Sequence, residues 1–273
     1  MTRLLRPTMV AWLLLAGCAG SLRPTHPIVD AQRALDRRQA STSGLHAIRA
    51  EARVDQRQNS GRIRGTIMMF VQEGGRVRFD VMTQFGPVAI LTSDGDHFAY
   101  SDFRSKRFLS GETCPQNIAR LLGVPLTADE TAHFLLGGTP ILPHDSAELS
   151  VGDEGHYHLT LKAASGARQQ LELAVYPGDR ELPEAQQRLS LVRSELWNPA
   201  GVHVWRVSYD DLESIAVGDQ QVLMPMRVHI EQTAQKSDTL VHFKAIKANP
   251  EIPDEVFSQT PRPGLEEEAA TCE

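Results

Sequence analysis

From Arg76 to Gly95 the chain reads RVRFDVMTQFGPVAILTSDG, and no other stretch constrains the fold as tightly. Val77, Phe79 and Val81 fall on one side of the first run, with Arg76, Arg78 and Asp80 on the other. A period of two predicts a half-buried strand. Val88, Ile90 and Thr92 continue the pattern beyond Phe85-Gly86-Pro87, so the stretch predicts a hairpin. Its turn carries a bulky aromatic where a loop tip is usually small or polar. Phe85 either folds back onto the sheet or meets an apolar partner outside the protein, and the residues leave both open.

The same alternation recurs along the chain. Strands are predicted over Leu45 to Gln56, Gly61 to Gln72, His97 to Asp102 and Lys106 to Leu109. They resume over His156 to Lys162, Gln169 to Tyr176, Leu189 to Trp197, Val202 to Tyr209, Met224 to Gln232 and Thr239 to Ile246. Asn198 to Gly201 reads as a hairpin turn, and Pro177 to Gln187 as a polar loop. Helical patterns interrupt the series. Ile28 to Ala40 places Ile28, Ala31, Ala34 and Leu35 on one face, with Arg33, Asp36, Arg37 and Arg38 outward. Pro115 to Leu122 stops at Gly123. Thr127 to Leu136 starts on a capping box, Thr127 with Glu130, and stops at Gly137-Gly138. Strands surrounding an insert of helices predict a mostly β, α+β domain: one antiparallel sheet wrapped round helices.

Composition removes several function classes. Of the 273 residues 41% are hydrophobic, enough for a sizeable core, and the net charge of −6 argues against a nucleic-acid surface. His156 and His158 share a strand face, but the sequence shows no third ligand beside them, so no metal site is predicted. There is no G-x-S-x-G elbow and no phosphate loop. The chain does not read as an enzyme, and no cofactor is called for.

The N-terminus reads as a targeting segment. Arg3 and Arg6 precede a short apolar run, Met9 to Leu15, below the roughly 20 residues needed to span a bilayer. Leu15-Ala16-Gly17-Cys18 then resembles a bacterial lipobox. The resemblance implies a signal peptide over residues 1–17 and a diacylglycerol on the Cys18 sulfur, with further acylation (palmitate being the common chain) of its amine. Ala19 after the cysteine suggests sorting to the outer membrane, facing the periplasm. Two acyl chains anchor stably at about 0.8 kcal/mol per buried methylene, so Phe85 is not needed as an anchor. Residues 18–27 read as a tether, 28–264 as one domain and 265–273, with Glu266, Glu267 and Glu268, as an acidic, mobile tail. In an oxidising compartment Cys114 and Cys272 either pair in a disulfide or remain free thiols.

Several pieces then occur in order: the basic strand GRIRGTIMM, the turn Phe85-Gly86, a strand ending Asp94-Gly95, a helix closing on Leu121-Leu122-Gly123-Val124-Pro125-Leu126, and a helix ending Leu135-Leu136-Gly137-Gly138. Ile252-Pro253-Asp254-Glu255-Val256-Phe257 with Pro261 and Gly264 follows near the C-terminus. In these the chain resembles the LolA/LolB lipoprotein-localisation family, most nearly its outer-membrane receptors. The resemblance implies an unclosed antiparallel β half-barrel capped by helices, enclosing an apolar cavity for acyl chains. It implies that Phe85 and Gly86 form a loop that touches the membrane and helps deliver cargo. The departures are Gln84, where that turn tends to carry proline, and Pro87 after the glycine.

An acyl site needs inward apolar side chains with few charges among them. Ile67, Met69, Phe79, Val81, Leu159, Leu161, Leu171, Leu173, Met226 and Val228 suit a cavity lining and equally suit a dry core. The expected partners are the membrane through the lipid anchor, a lipoprotein or lipid as cargo, and a periplasmic carrier of the LolA type, with the chain a monomer. The expected function is non-enzymatic transfer of acylated cargo into the outer membrane. The rival is a structural or assembly lipoprotein of the envelope whose filled half-barrel serves as a protein-binding scaffold. A ligand-sensing role in a signalling pathway is a third reading.

Overall fold

A computed structural model describes residues 23–58 and 61–272. The chain opens with helix α1 (Ala31–Ser41), followed by strands β1 (Ala47–Gln58), β2 (Gly61–Gln72), β3 (Arg76–Thr83), β4 (Gly86–Asp94), β5 (His97–Asp102) and β6 (Arg107–Glu112). Helices α2 (Pro115–Leu122) and α3 (Ala128–Leu135) come next. The second series is β7 (Ser146–Val151), β8 (Tyr157–Lys162), β9 (Arg168–Val175), β10 (Leu189–Trp197), β11 (His203–Val217), β12 (Gln220–Gln232), β13 (Ser237–Ala248) and β14 (Glu266–Ala270).

All fourteen strands belong to one sheet, in the order β14-β6-β5-β4-β3-β2-β1-β13-β12-β11-β10-β9-β8-β7. Its two ends, β14 and β7, do not pair with each other, so the barrel is unclosed. Every pairing is antiparallel except β14 with β6, which is parallel. Inward positions alternate with outward ones and converge on a single core cluster. Val77 and Phe79 on β3, Leu159 and Leu161 on β8, and Leu171 and Leu173 on β9 all belong to it.

Helix α3 shows the curvature. It packs on β2 and β3, yet its Phe134 ring stands edge-on to Trp205 of β11, with centroids 4.9 Å apart. Four strands away in the sheet, β2 and β11 therefore meet one helix on the concave side. Local chemistry fixes where each helix begins. Asp30 accepts a hydrogen bond from the Arg33 amide at 2.8 Å and caps α1. Pro115 occupies the first turn of α2, and Gly123 ends it with φ of 71°. Thr127 and Glu130 cap each other's backbone at α3.

Four differences from the sequence-based reading have physical causes. Helix α1 starts at Ala31, past Pro27, because Asp30 supplies the cap. The tether is docked over its described part: Thr25 donates to the Arg180 carbonyl, Gln187 donates to the His26 carbonyl, and Pro24 is buried. Strand β11 runs on to Val217 because β12 pairs with it as far as Gln220, the register holding across Asp211 although its φ is 54°. The acidic tail is an edge strand. Glu266 to Ala270 pair along β6, and Glu268 takes a two-pronged ion pair from Arg107.

The far half of the β11–β12 ribbon extends past its neighbours, since β10 stops pairing at Ser208 and β13 at Arg227. It leans over one end of the half-barrel. There Tyr176 accepts a hydrogen bond from the Leu223 amide, and Pro225 lies so close to Gly137 that a Cβ on the glycine would come within 2.9 Å of the ring.

Candidate functional site

Two features stand out from the packed body: an exposed aromatic tip and an open pocket. Phe85 sits in the turn between β3 and β4 and is 91% exposed, the most of the large apolar side chains described. The fold-back alternative is excluded. Thr83 holds the turn, accepting from the Phe85 amide at 3.3 Å and donating to the Gly86 carbonyl at 2.8 Å. Gly86 adopts φ of 112°, which a side chain would resist. The ring is presented to the outside on a short, braced turn.

The pocket, of about 440 Å³, lies where α1, the segment after α3 and the inner face of β9 and β10 meet. Leu171, Leu173 and Leu191 form its floor, and Leu35 and Ile141 an apolar wall. Arg38, His133, Thr139 and His144 add polar groups, and Asp36 and Glu73 stand exposed at the rim. The size and the mixture suit a small amphipathic ligand.

A buried amide fixes the pocket's outer wall. Gln169 is fully buried, accepts from the Leu142 amide at 2.8 Å and donates to the Pro140 carbonyl at 2.9 Å and Ser194 at 3.0 Å. It ties the 139–142 segment to β9. Tyr209 ties the other side, donating to the Gly138 carbonyl at 2.5 Å, and burial pushes its phenol pKa far up.

Arg38 departs from the sequence expectation. The helical pattern puts it on the outward face, yet Ala31, Ala34, Leu35, Arg38 and Ser41 recur at three- and four-residue spacing and so share one face. Its guanidinium donates to the Gly137 carbonyl at 2.6 Å and to Thr42 Oγ1 at 2.9 Å, while Nε has no partner. Desolvation pulls its pKa below the ordinary arginine value.

Of the ten side chains expected to line a cavity, Leu171 and Leu173 border the pocket. Ile67, Met69, Phe79, Leu159, Leu161 and Val228 are at most 4% exposed and packed in the core cluster, with Met226 beside them and Val81 half-buried at its edge. At those positions the interior is filled. Cys114 and Cys272 are joined in a disulfide with Cα atoms 6.0 Å apart, tying the end of the chain to the start of α2. Cys18 lies outside the described residues.

Folding supplies neighbours for the histidine pair that the sequence did not show. Glu154, His156 and Glu172 bring one ligand atom each within 4.8 Å of one another. These groups are already partnered: His156 lies 2.7 Å from Glu172, His158 2.9 Å from Glu154, and Arg193 2.5 Å from the second Glu172 oxygen. The group is one end of a run of ion pairs that continues through Glu195 to Arg206.

No protein-family profile and no curated protein matches the chain. Solved structures do. A LolA superfamily protein from Nitrosomonas europaea superposes with a TM-score of 0.52 at 10% identity, over 85% of this chain and 99% of the other. The fold is LolA-like. A DUF1329 family protein from Desulfovibrio piger superposes with a TM-score of 0.50 at 12% identity, over 86% of this chain and 98% of the other. At such identities the likeness is one of fold, and it takes in most of the chain. The pocket sits at the mouth of that half-barrel, between its sheet and its first helix.

Proposed function

We propose that the protein is an envelope lipoprotein, acylated at Cys18, whose LolA-like half-barrel takes up an acyl chain of a lipid or lipoprotein and hands it to a membrane. The open pocket carries this reading: buried leucines Leu171, Leu173 and Leu191 are reached there from solvent, beside polar groups at the entrance of a well-packed core. Transfer needs no chemistry, because the cargo moves to whichever site binds it better. The lipobox resemblance and Ala19 support the periplasmic face of the outer membrane as its location. A receptor's task there, as the family's LolB members perform it, fits the exposed ring of Phe85. A soluble LolA-type carrier is the expected donor, and the receptor acts as a monomer.

The test is displacement of a neutral fluorescent lipid from the full-length Cys18→Ser chain, with mass spectrometry of lipids that co-purify from the native host. Saturable displacement or a bound lipid supports the reading, and an empty protein that binds no probe overturns it. The filled interior around Met69, Phe79 and Leu161 favours a second reading, in which the half-barrel is a rigid scaffold for a protein partner. The empty outcome selects that one.

The tip has its own expected result. Phe85→Glu leaves stability within about 0.5 kcal/mol, because the side chain packs on nothing. Full burial of the ring in a leaflet is worth roughly 1.5–3 kcal/mol, so contact of the Cys18→Ser chain with phospholipid vesicles weakens roughly 10- to 150-fold. Vesicle co-sedimentation measures it, and unchanged partition would remove the membrane role of the turn.

A further inference from the structure

We infer that the pocket beside α1 is a site for an anionic amphiphile, with the oxyanion head held by Arg38 and the chain laid on Leu171, Leu173 and Leu191. The inference rests on the acyl-binding reading above and names the ligand's other end.

The geometry of Arg38 sets it apart. Arg78, Arg188 and Arg206 are each seated on a carboxylate: Asp80 at 2.9 Å, Asp179 at 2.7 Å and Glu195 at 2.9 Å. Arg38 is half-buried, lines the pocket, and has only a backbone carbonyl and a hydroxyl as partners among the described residues. Its Nε is buried and unpartnered. A guanidinium withdrawn from water with no counter-charge is costly, and the cost falls when a carboxylate or phosphate supplies the missing charge and accepts the remaining N–H. Arginine's planar fork suits those two head groups in particular.

The surroundings fit a charged head on an apolar chain. Thr139, His133 and His144 border the same space, with the two imidazole Nδ1 atoms donating to the Asp129 and Leu142 carbonyls, so the charge for an anion comes from Arg38. The Thr139 hydroxyl is engaged within the wall, donating to Ser194 at 3.2 Å and accepting from Gln169 at 3.4 Å. The rim carboxylates, Asp36 and Glu73, are exposed, where solvent and salt screen them, whereas Arg38 is not. Asp36 also accepts a hydrogen bond from Gln32 at 2.9 Å. The same lining holds Leu35, Leu171, Leu173 and Leu191, so the site offers apolar contact as well as the Arg38 charge.

The experiment compares dodecyl phosphate, dodecanol and inorganic phosphate as competitors on the full-length Cys18→Ser chain, read by displacement of a neutral fluorescent lipid and by calorimetry for the free anion. Dodecyl phosphate is expected to bind at least tenfold more tightly than dodecanol. Arg38→Gln should remove that preference by weakening dodecyl phosphate while leaving dodecanol where it was, and Arg38→Lys should retain part of it. Equal binding of the two amphiphiles by the wild-type chain overturns the inference without any variant, so a folding defect in Arg38→Gln cannot shelter it. Inorganic phosphate separates the two ideas. If neither amphiphile binds but phosphate does, and Arg38→Gln abolishes it, the anion site stands and acyl uptake fails. If dodecanol binds as well as dodecyl phosphate, acyl uptake stands and the anion site fails. If nothing binds, both fail.

Discussion

Trp205→Ala is expected to lower the thermal midpoint by about 10 °C or more, the largest effect of any single substitution in the interior. Trp205 is 1% exposed and stands edge-on to Phe134 across the concave side of the sheet. Truncating a buried tryptophan to alanine costs about 3–5 kcal/mol through lost burial and the cavity left behind. A second loss is coupled to it. The indole Nε1 donates to Glu130 Oε1 at 3.1 Å, while Glu130 Oε2 accepts from the Thr127 amide at 2.9 Å. The ring therefore fastens the capping box of α3 to β11. For a chain of this size each kcal/mol moves the midpoint by about 2–4 °C. Trp205→Phe separates the two losses in part, since it keeps a ring in the site and removes the hydrogen bond, worth about 1 kcal/mol, with a smaller packing loss than alanine. Thermal melts of the three proteins decide it. A midpoint within 2–3 °C of wild type for Trp205→Ala would mean that α3 is not held by β11. Helix α3 leads directly into the 138–144 segment that walls the pocket, so loosening it should also weaken whatever the pocket binds.

The sequence showed most of this architecture because its signals are local. The hairpin from Arg76 to Gly95 was legible as two strands, but the face of the second was not: Phe79 pairs with Leu91 and Asp80 with Ile90, so Leu91 turns inward while Ile90 and Thr92 share the outer face with Asp80 and Arg78. Strand β4 is buried on both faces, Gln259 bonding to Ile90 and Thr92, so its apolar run carries no alternation to read. Thr127 and Glu130 announce a helix start three residues apart, and the Asn198 turn closes with its side chain accepting from Ala200 and Val202. Gly61 to Gln72 and Leu189 to Trp197 were legible to the residue. Where the alternation fails, the reading failed with it. From Asp210 to Ser214 every residue of β11 is exposed, because that part of the ribbon has strand neighbours on one side only. Strand β7, SAELSV, is a short edge strand with half-buried inward positions, too weak a pattern to separate from a loop. Strand β14 carries three glutamates, a composition that suits a charged sheet edge and a solvated tail equally well.

The site was less legible than the fold, for a different reason. Pocket walls are built from residues far apart in the chain. Gln169 reaches 27 residues back to Leu142, and Arg38 reaches 99 forward to Gly137. A signal existed in both cases. Gln169 is a polar residue at an inward position of an otherwise apolar alternation, ahead of Leu171, Leu173 and Val175. Arg38 is a charge on the helix stripe that holds Ala34 and Leu35. A polar group on an apolar face needs a partner when buried, and its partner marks where the chain closes on itself. Phe85 illustrates the converse. An aromatic in a turn has no local reason to be there, and only the folded chain shows that nothing covers it.

Replacing both cysteines, Cys114→Ser with Cys272→Ser, is expected to lower the midpoint by roughly 5–15 °C, from a loss of about 2–5 kcal/mol. The bond closes a loop with a sequence separation of 158 residues, so cutting it frees a large part of the unfolded chain. It also removes the only covalent hold on β14. That strand lies against Gly111, where an added Cβ would come within 2.2 Å of the Ala270 carbonyl, so the two backbones touch without intervening side chains. What then remains is five residues of parallel pairing and the ion pair of Glu268 with Arg107, which is part exposed and contributes little once screened. The two consequences separate experimentally. The unfolded-chain term appears in the melt, and the release of β14 appears as protease cleavage between Pro263 and Ala270 under conditions where the body resists. A lowered midpoint with a resistant tail would show that the pairing on β6 suffices to hold the strand. An unchanged midpoint with a resistant tail would remove the disulfide's structural role altogether. The expected result, both effects together, makes β14 a strand added to an edge and kept there by the bond, so that reduction would uncover β6 as a second open end of the half-barrel, opposite β7 in the sheet order.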